Sequence, residues 1–296
     1  MRSTTGVIVG AAAVAALILA LVWYQSANAK KQGGLYVGVT DVTADIANVS
    51  DINATVNKVE LHSVADGWIT VSATPKTFGL LSLNASGKTQ LYVREDVAEG
   101  SYDRVRLTFG DVLIKLKDGS TVRATMPSTQ MVVNINTVVA AKQDSQIHID
   151  IIASDSLHIT SDGAYVFAPV AHMQSESNAK IIVAGDNSIT STEGKSEGDV
   201  KVGVDLDGST KMNFKLVADG TLKMQTGTST DNKGKIMFLL GGKSFMAGSA
   251  DVETSEDASV DDHKSTATSS PTEQGGEDSR SGASVKVDLQ GGLKTY

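Results

Sequence analysis

The sequence predicts an all-β protein: an immunoglobulin-like or transthyretin-like antiparallel β-sandwich with an additional β-meander, preceded by one N-terminal hydrophobic helix. After residue 34, apolar residues alternate with polar ones through most strand-like segments, which places one face of each strand on a core and the other in water. No long helical period follows Tyr24. Asp-Gly pairs, which suit tight hairpins, recur at 66–67, 118–119, 162–163, 207–208 and 219–220.

The N-terminal segment contains an uncharged run of 19 residues, from Gly6 to Tyr24. A helix of this length, at about 1.5 Å per residue, nearly spans a hydrocarbon core of about 30 Å. The tripeptide 27–29, Ala-Asn-Ala, follows and suits signal peptidase. Residues 1–29 are therefore either a transmembrane anchor or a signal peptide cleaved after Ala29, and both interpretations stay open. Under either one, we expect the β-domain outside the cytoplasm, at the cell surface or secreted.

Residues 30–178 form the predicted sandwich domain. The segments 105–109 and 147–151 show its alternation most clearly. Between residues 54 and 61 the apolar positions change from even to odd numbers. A β-bulge near 57–58 explains this change, and two separate short strands explain it equally well.

The C-terminal half contains three further segments. Residues 179–248 read as a β-meander that either extends the first domain or forms a small second one, and their modest apolar content favours packing against the first domain. Residues 249–282 are an acidic, Ser/Thr-rich segment that we predict to be disordered. Residues 283–296 regain alternation and are compatible with a C-terminal strand.

Composition excludes several classes of function. The chain has no cysteine, so it has neither disulfides nor a thiolate metal site. Its net charge of −8 is almost entirely local, because nine acidic and only two basic residues lie between 251 and 280. The rest of the chain is nearly neutral and lacks the basic stripe that nucleic-acid binding requires, so we expect no nucleic-acid partner.

A series of short motifs occurs in a fixed order along the first domain. These motifs lie at 34–41, 59–63, 67–71, 80–83, 100–102, 126–128, 149–151 and 163–170. Together they resemble the secreted domain-of-unknown-function family 4382, over about residues 34–173. The resemblance implies a β-sandwich in exported bacterial and archaeal proteins, and it implies no activity and no functional residues. This chain departs from many relatives in lacking a lipoprotein cysteine.

Tyr102 follows Gly100-Ser101 just before an alternating strand. This arrangement resembles a tyrosine corner, in which the phenol hydroxyl bonds back to the backbone and fixes the connection between two strands. We therefore expect Tyr102 to stabilise the domain.

Two acid–histidine pairs are candidate metal ligands. Glu60 and His62 lie two residues apart, as do His148 and Asp150, so each pair shares one face of its strand. If the two strands were neighbours, the four side chains could hold a metal ion through nitrogen and oxygen ligands. The alternative is that all four are ordinary solvent-facing residues of amphipathic strands.

Two tyrosines are candidate binding residues, because aromatic rings on an exposed face can hold a glycan. Tyr36 and Tyr92 both point opposite to the apolar neighbours of their strands, although exposed tyrosines also occur on ordinary sheets. Three further positions match the pattern of N-glycosylation acceptors: Asn48, Asn53 and Asn84.

No catalytic pattern emerges from the sequence. There is no Gly-x-Ser-x-Gly elbow, and the acidic residues occur mainly in turns and in the acidic segment. We therefore predict a non-enzymatic protein without a cofactor, with a structural, adhesive or assembly role at the cell surface. Its expected partners are the membrane, through the N-terminal helix, and either itself, other surface proteins or glycans. The alternative function is an extracellular ligand-binding module for a glycan or a metal.

Overall fold

A computed structural model describes residues 31–42, 46–218, 220–228 and 233–248. The predicted N-terminal helix, the acidic segment and the C-terminal strand lie outside these residues. Two helices are described, α1 (Leu80–Ser86) and α2 (Ala153–Ser156). The described strands are β1 (Gln32–Thr40), β2 (Val49–Ser63), β3 (Gly67–Ser72), β4 (Lys76–Gly79), β5 (Thr89–Ala98), β6 (Gly100–Leu116), β7 (Thr121–Arg123), β8 (Gln130–Val139), β9 (Asp144–Ile151), β10 (Leu157–Ile159), β11 (Tyr165–Phe167), β12 (Val170–Ser177), β13 (Lys180–Val183), β14 (Ser188–Thr192), β15 (Lys195–Val204), β16 (Thr210–Met212), β17 (Lys223–Thr226), β18 (Ile236–Leu240) and β19 (Lys243–Met246).

The all-β prediction is confirmed, and the largest sheet has eight strands. Their order is β13-β14-β5-β1-β9-β12-β15-β16. Neighbours are antiparallel except β1 and β9, which pair in parallel from Gly34–Asp144 to Thr40–Asp150. This pair is an exception to the predicted antiparallel arrangement. Alternation within a strand reveals which face is buried but not which distant strand lies beside it.

The second large sheet is built around two long strands, β2 and β6, which pair in antiparallel fashion. Strands β3 and β4 both pair with β2, and β7 and β8 both pair with β6. One hydrophobic cluster contains buried residues from both large sheets, among them Leu35, Ile147 and Val202 from the first and Leu61 and Phe109 from the second. The two sheets therefore share one core, and their other faces carry most of the polar side chains.

The change of phase in β2 is a bulge within one continuous strand. Residues 49–63 form a single strand, and its pairing with β6 shifts register between Val56 and Lys58. Apolar side chains on both sides of the shift are buried, because the extra residue turns the second half of the strand back toward the core. The bulge interpretation is confirmed, and the two-strand interpretation was wrong.

The Asp-Gly turns follow the sequence prediction. Four of them join consecutive strands: β2 to β3, β6 to β7, β10 to β11 and β15 to β16. The glycine has positive φ in each, between 71° and 88°, and Gly220 at the fifth pair has φ 80°. Glycine reaches this backbone region without steric cost, which is why the pairs are reliable markers of hairpins.

Helix α1 was not predicted, and its stabilisation comes from outside its own sequence. Asp51 of β2 accepts hydrogen bonds from the N–H of Leu81 (3.2 Å) and from the hydroxyl of Ser82 (2.8 Å). Leu80 and Leu83 are buried. A seven-residue helix has too few turns to show a clear period, and its cap comes from a strand about 30 residues earlier.

Residues 179–248 divide between two environments. Strands β13 to β16 belong to the eight-stranded sheet, on its two outer sides. Strands β17 to β19 form a separate antiparallel meander, whose Phe238 packs with Val166, Leu206 and Leu222 in a second small cluster. Within the part of the chain described, no helix is long and apolar enough to cross a membrane.

Candidate functional site

The outer face of the eight-stranded sheet carries a cluster of polar side chains that range from buried to exposed. Along β9, Ile147 and Ile149 point into the core, so Gln146 and His148 point outward. The pairing registers place Gln146 beside Glu176 of β12, and His148 beside Gln174 of the same strand. Two neighbouring strands thus present two amides, one imidazole and one carboxylate on a single surface.

The hairpin formed by β13 and β14 encloses this cluster on one side. It reaches the sheet at Ser188 and Ile189, which pair with the first residues of β5. Gly38 of β1 permits this approach, because a Cβ atom at that position would lie 2.5 Å from Cδ1 of Ile189 and 2.7 Å from Cγ2 of Thr89. The result is a cavity of about 390 Å³ whose polar lining includes Lys88, Gln146, His148, Gln174, Glu176 and Ser191.

Hydrogen bonds hold most of these side chains in place. The hydroxyl of Ser191 donates to Glu176 Oε2 at 2.8 Å, which ties the hairpin to β12. Gln174 donates through Nε2 to Asp199 at 3.1 Å. Gln146 differs from them: it is only 4% exposed, and its Oε1 has no hydrogen-bond partner among the described residues. A buried acceptor without a donor costs about 1–3 kcal/mol, so Gln146 is the least satisfied group of the cavity.

The charges around the cavity nearly balance. Burial lowers the pKa of His148 below its ordinary value, and Glu176 opposes this only in part, so the imidazole is neutral at pH 7. Lys88 supplies one positive charge and forms an ion pair with Asp186 at 2.6 Å. Glu176 supplies one negative charge. The lining itself is therefore close to neutral.

Asp150 is the next outward-facing residue of β9 after His148, so it lies on the same face of the sheet. It is 7% exposed, its Oδ1 has no hydrogen-bond partner in the described ranges, and it pairs in register with His172 of β12. Burial raises the pKa of Asp150, and the nearby carboxylate of Asp41 raises it further. Two carboxyl groups thus lie near each other where β1 and β9 end.

The two predicted metal-binding pairs are not brought together. Glu60 and His62 lie on β2, which pairs with β3, β4 and β6, whereas His148 and Asp150 lie on β9, which pairs with β1 and β12. The assumption that the two strands are neighbours was wrong, because they belong to different sheets. Across the described residues, no group of three or more His, Asp or Glu side chains could hold a metal ion.

Glu60 instead belongs to a charged cluster on the outer face of the second sheet. Arg106 donates to its carboxylate at 2.7 Å, and Lys58 lies 3.0 Å away. Arg106 also stacks over the ring of Trp68, 4.2 Å from its centroid. His62 contacts Trp68 edge-on and forms a 2.6 Å hydrogen bond with Asp103. Trp68 and Arg106 were not predicted as members of a polar cluster, although their strands alternate clearly.

The prediction that Tyr92 is exposed was wrong. Tyr92 is 8% exposed, its ring lies 6.2 Å from that of Phe78, and its hydroxyl donates to the carbonyl oxygen of Thr74 at 3.0 Å. The cause is a bulge: Val37 pairs with Val93 and Gly38 with Leu91, so Tyr92 is an extra residue that turns toward the core.

Tyr36 lies on the outer face as expected, and it is half-buried. It pairs in register with Gln146 of β9, and Arg94 lies 5.7 Å from its ring centroid and donates to its hydroxyl at 3.3 Å. The three acceptor patterns for glycosylation occupy different environments: Asn48 is exposed in the turn before β2, whereas Asn53 in β2 and Asn84 in α1 are half-buried.

The fold and the cavity define an all-β domain of two large sheets with a polar site on an outer face. Residues 32–169 match the family described as "Domain of unknown function (DUF4382)", which confirms the resemblance of this segment to that family. No curated protein and no solved structure matches the chain. The matched segment ends just before β12, so Gln174, Glu176 and the β13–β14 hairpin lie beyond it.

Proposed function

We propose that this chain is an exported, non-catalytic surface protein with a structural or adhesive role, and that its sheet edges mediate assembly with further copies. In this proposal the two-sheet domain is an immunoglobulin-like or transthyretin-like sandwich displayed outside the cytoplasm by the N-terminal segment. The apolar run at 6–24 and the motifs of the first domain support export.

The open edges of the eight-stranded sheet carry the proposal of assembly. Among the described strands, β13 and β16 are its outermost members. Ile182 and Val183 of β13 are 57% and 42% exposed, and Met212 of β16 is exposed as well. Exposed apolar side chains on an unpaired edge favour the addition of another strand, which natural edges usually discourage with charge, proline or a bulge.

The backbone of β13 is also oriented for strand addition. Ala184 donates from its N–H to the carbonyl oxygen of Ser188. Hydrogen-bonded positions alternate along an antiparallel pair, so the N–H and carbonyl groups of Val183 point away from β14. They lie on the side where a further strand would pair.

The test compares the assembly of three variants of the full-length chain by light scattering and electron microscopy over a range of protein concentrations. Val183→Pro removes an outward donor and leaves the β13–β14 ladder intact, and Val183→Lys adds a charge to the edge. Val217→Lys is the matched control, since Val217 is exposed outside any strand. We expect larger particles or filaments for the wild type and the control, and a reduced particle size for both Val183 variants.

A wild-type chain whose particle size stays monomeric at every concentration contradicts the proposed assembly. Export is tested separately by fractionating the native cells and sequencing the N-terminus of the protein. A mature start at Lys30 in the medium indicates a cleaved signal, and an intact start in the membrane fraction indicates an anchor. An intact chain in the cytosolic fraction contradicts export.

A further inference from the structure

We propose that the cavity between the β13–β14 hairpin and the outer face of the eight-stranded sheet binds a neutral sugar, either free or as a unit of a glycan. This inference is independent of the proposed assembly, because the cavity lies on the face of the sheet and assembly would use its edges. Three properties of the cavity support it: its size, its charges and the chemistry of its lining.

The size of the cavity suits a small ligand. Its volume of about 390 Å³ lies at the lower end of the range of about 300–1,000 Å³ that small-molecule sites occupy. Its wall is rigidly placed, since Ile189 and Thr89 pack over Gly38 and Ser191 is bonded to Glu176. One or two sugar rings would fill such a space without a change in the sheet.

The charges favour a neutral ligand over an ionic one. One lysine and one glutamate line the cavity, and His148 is neutral at pH 7. A cationic ligand would meet the ammonium group of Lys88, and an anionic ligand would meet the carboxylate of Glu176. Lys88 is already paired with Asp186, and the carboxylate of Glu176 accepts a hydrogen bond from Ser191, so neither charge of the lining lacks a partner.

The lining suits hydroxyl groups in particular. Gln146, Gln174 and Glu176 provide planar amide and carboxylate groups, and serine and threonine hydroxyls come from β14. A sugar hydroxyl both donates and accepts, so it can bond with every one of these groups. Gln146 adds the strongest indication, because its buried Oε1 has no partner among the described residues and rotation about its terminal torsion would let it accept a hydroxyl proton.

The test measures binding to the full-length chain, kept in solution by a polyoxyethylene detergent that contains no sugar. The probes are glucose, galactose, mannose and N-acetylglucosamine, together with maltotriose and chitotriose as glycan fragments. Glucosamine and glucuronate serve as cationic and anionic analogues. Saturation-transfer NMR with titration gives the dissociation constant for each probe.

We expect at least one neutral sugar to bind saturably with a millimolar dissociation constant, and both charged analogues to bind more weakly. A trisaccharide that binds more tightly than its monosaccharide indicates a glycan source, and equal affinity indicates a free sugar. Glu176→Gln should weaken binding by about tenfold, as expected for the loss of a charge-assisted hydrogen bond. The matched control Glu95→Gln, at an exposed position of β5, should leave the dissociation constant unchanged.

A second variant tests the same site in case Glu176→Gln disturbs the fold. Thr190 is exposed on β14 and lines the cavity, so Thr190→Trp should occlude the site while the core stays intact, and it should abolish binding. The absence of saturable binding by every neutral probe would overturn the inference. So would binding that survives both Glu176→Gln and Thr190→Trp, or a charged analogue that binds more tightly than the neutral sugars.

Discussion

The hydroxyl of Tyr102 donates a 2.7 Å hydrogen bond to the carbonyl oxygen of Ala98, four residues earlier in the chain. Tyr102 is buried in the core shared by the two large sheets, while Ala98 is the last residue of β5. This bond fixes the connection at Gly100, where the chain leaves the first sheet and begins β6 of the second. The predicted tyrosine corner is confirmed.

Removing this hydroxyl should destabilise the domain. Tyr102→Phe keeps the ring and removes the hydrogen bond to the carbonyl oxygen of Ala98, so we expect a loss of about 1–2 kcal/mol in the free energy of unfolding. Urea unfolding of the full-length chain measures the difference. Tyr36→Phe is the control, since its hydroxyl forms a longer bond with the exposed Arg94 and should cost less than about 0.5 kcal/mol. Equal stability of the Tyr102→Phe variant and the wild type contradicts the structural role.

Glu60 should stabilise the second sheet only while it is ionised. Burial alone would raise its pKa, but the hydrogen bonds from Arg106 and Lys58 outweigh burial and hold the pKa below its ordinary value. The stabilisation is therefore fully present above the ordinary pKa, and it is lost as the pH falls through the lower folded-state pKa. We expect Glu60→Gln to cost about 1–3 kcal/mol at pH 7, with a smaller cost near pH 3.

The measurement for Glu60 is the free energy of unfolding of variant and wild type across this pH range. The exposed Glu95→Gln serves as the control and should change stability by less than about 0.5 kcal/mol. A cost for Glu60→Gln that is the same at pH 3 as at pH 7 would show that its charge plays no part.

Asp150 should have the opposite dependence on pH. Its folded-state pKa is raised, by burial first and then by Asp41, so the folded state binds the proton more tightly than the unfolded chain does. Stability is then highest below the ordinary pKa of aspartate, and it falls as the pH rises through the higher folded-state value. Asp150→Asn removes the buried charge, and we expect it to stabilise the domain by about 1 kcal/mol at pH 7.

This gain should disappear near pH 3, where the wild-type carboxyl is protonated as well. Thermal unfolding at the two pH values measures it. The exposed Asp96→Asn is the control, and it should have little effect at either pH. A variant of Asp150 that is less stable than the wild type at pH 7 would mean that the ionised carboxylate is favourably solvated.

Gly33 should tolerate no side chain. A Cβ atom at this position would lie 2.3 Å from the carbonyl oxygen of Ala140 and 2.8 Å from that of Gln143, and backbone atoms cannot yield as a flexible side chain can. We expect Gly33→Ala to cost about 3 kcal/mol, because β1 must shift against the loop before β9. Gly185→Ala is the matched control: no atom lies within 4 Å of its added Cβ, and the change should be neutral or stabilise by up to about 1 kcal/mol. Urea unfolding compares both variants with the wild type.

Local features of the fold were predictable, and long-range features were not. The Asp-Gly hairpins, the β2 bulge and the Tyr102 corner each depend on residues close in sequence. The hairpins and the corner were found as predicted, and the bulge was one of the two interpretations that the sequence left open for β2. Tyr92 was misplaced because a bulge in β5 inverts the alternation on which the prediction rested. No local sequence pattern indicated that bulge.

The cavity was not predictable for a related reason. Its residues come from β9, β12, β14 and the chain at the start of β5, and they meet only because β9 lies beside β12 and a glycine in β1 admits the hairpin. His148 was noticed for its spacing to Asp150, but its cross-strand neighbour Gln174 is an unremarkable amide in the sequence. The pairing of strands that are distant in sequence determines which residues meet in such a site, and hydrophobic periodicity does not indicate that pairing.

The parallel pair of β1 and β9 has a consequence for the order in which the protein can fold. β1 lies inside the eight-stranded sheet, but Gly34 can pair with β9 only after Asp144 has been synthesised. β12 is synthesised later still. Because the chain is synthesised from its N-terminus, one edge of β1 stays unpaired until most of residues 32–169 have been synthesised. Loop closure over such a distance is slow. The nascent chain is thus most vulnerable to aggregation before β9 emerges, and a truncation ahead of Asp144 would leave β1 without its partner on that side.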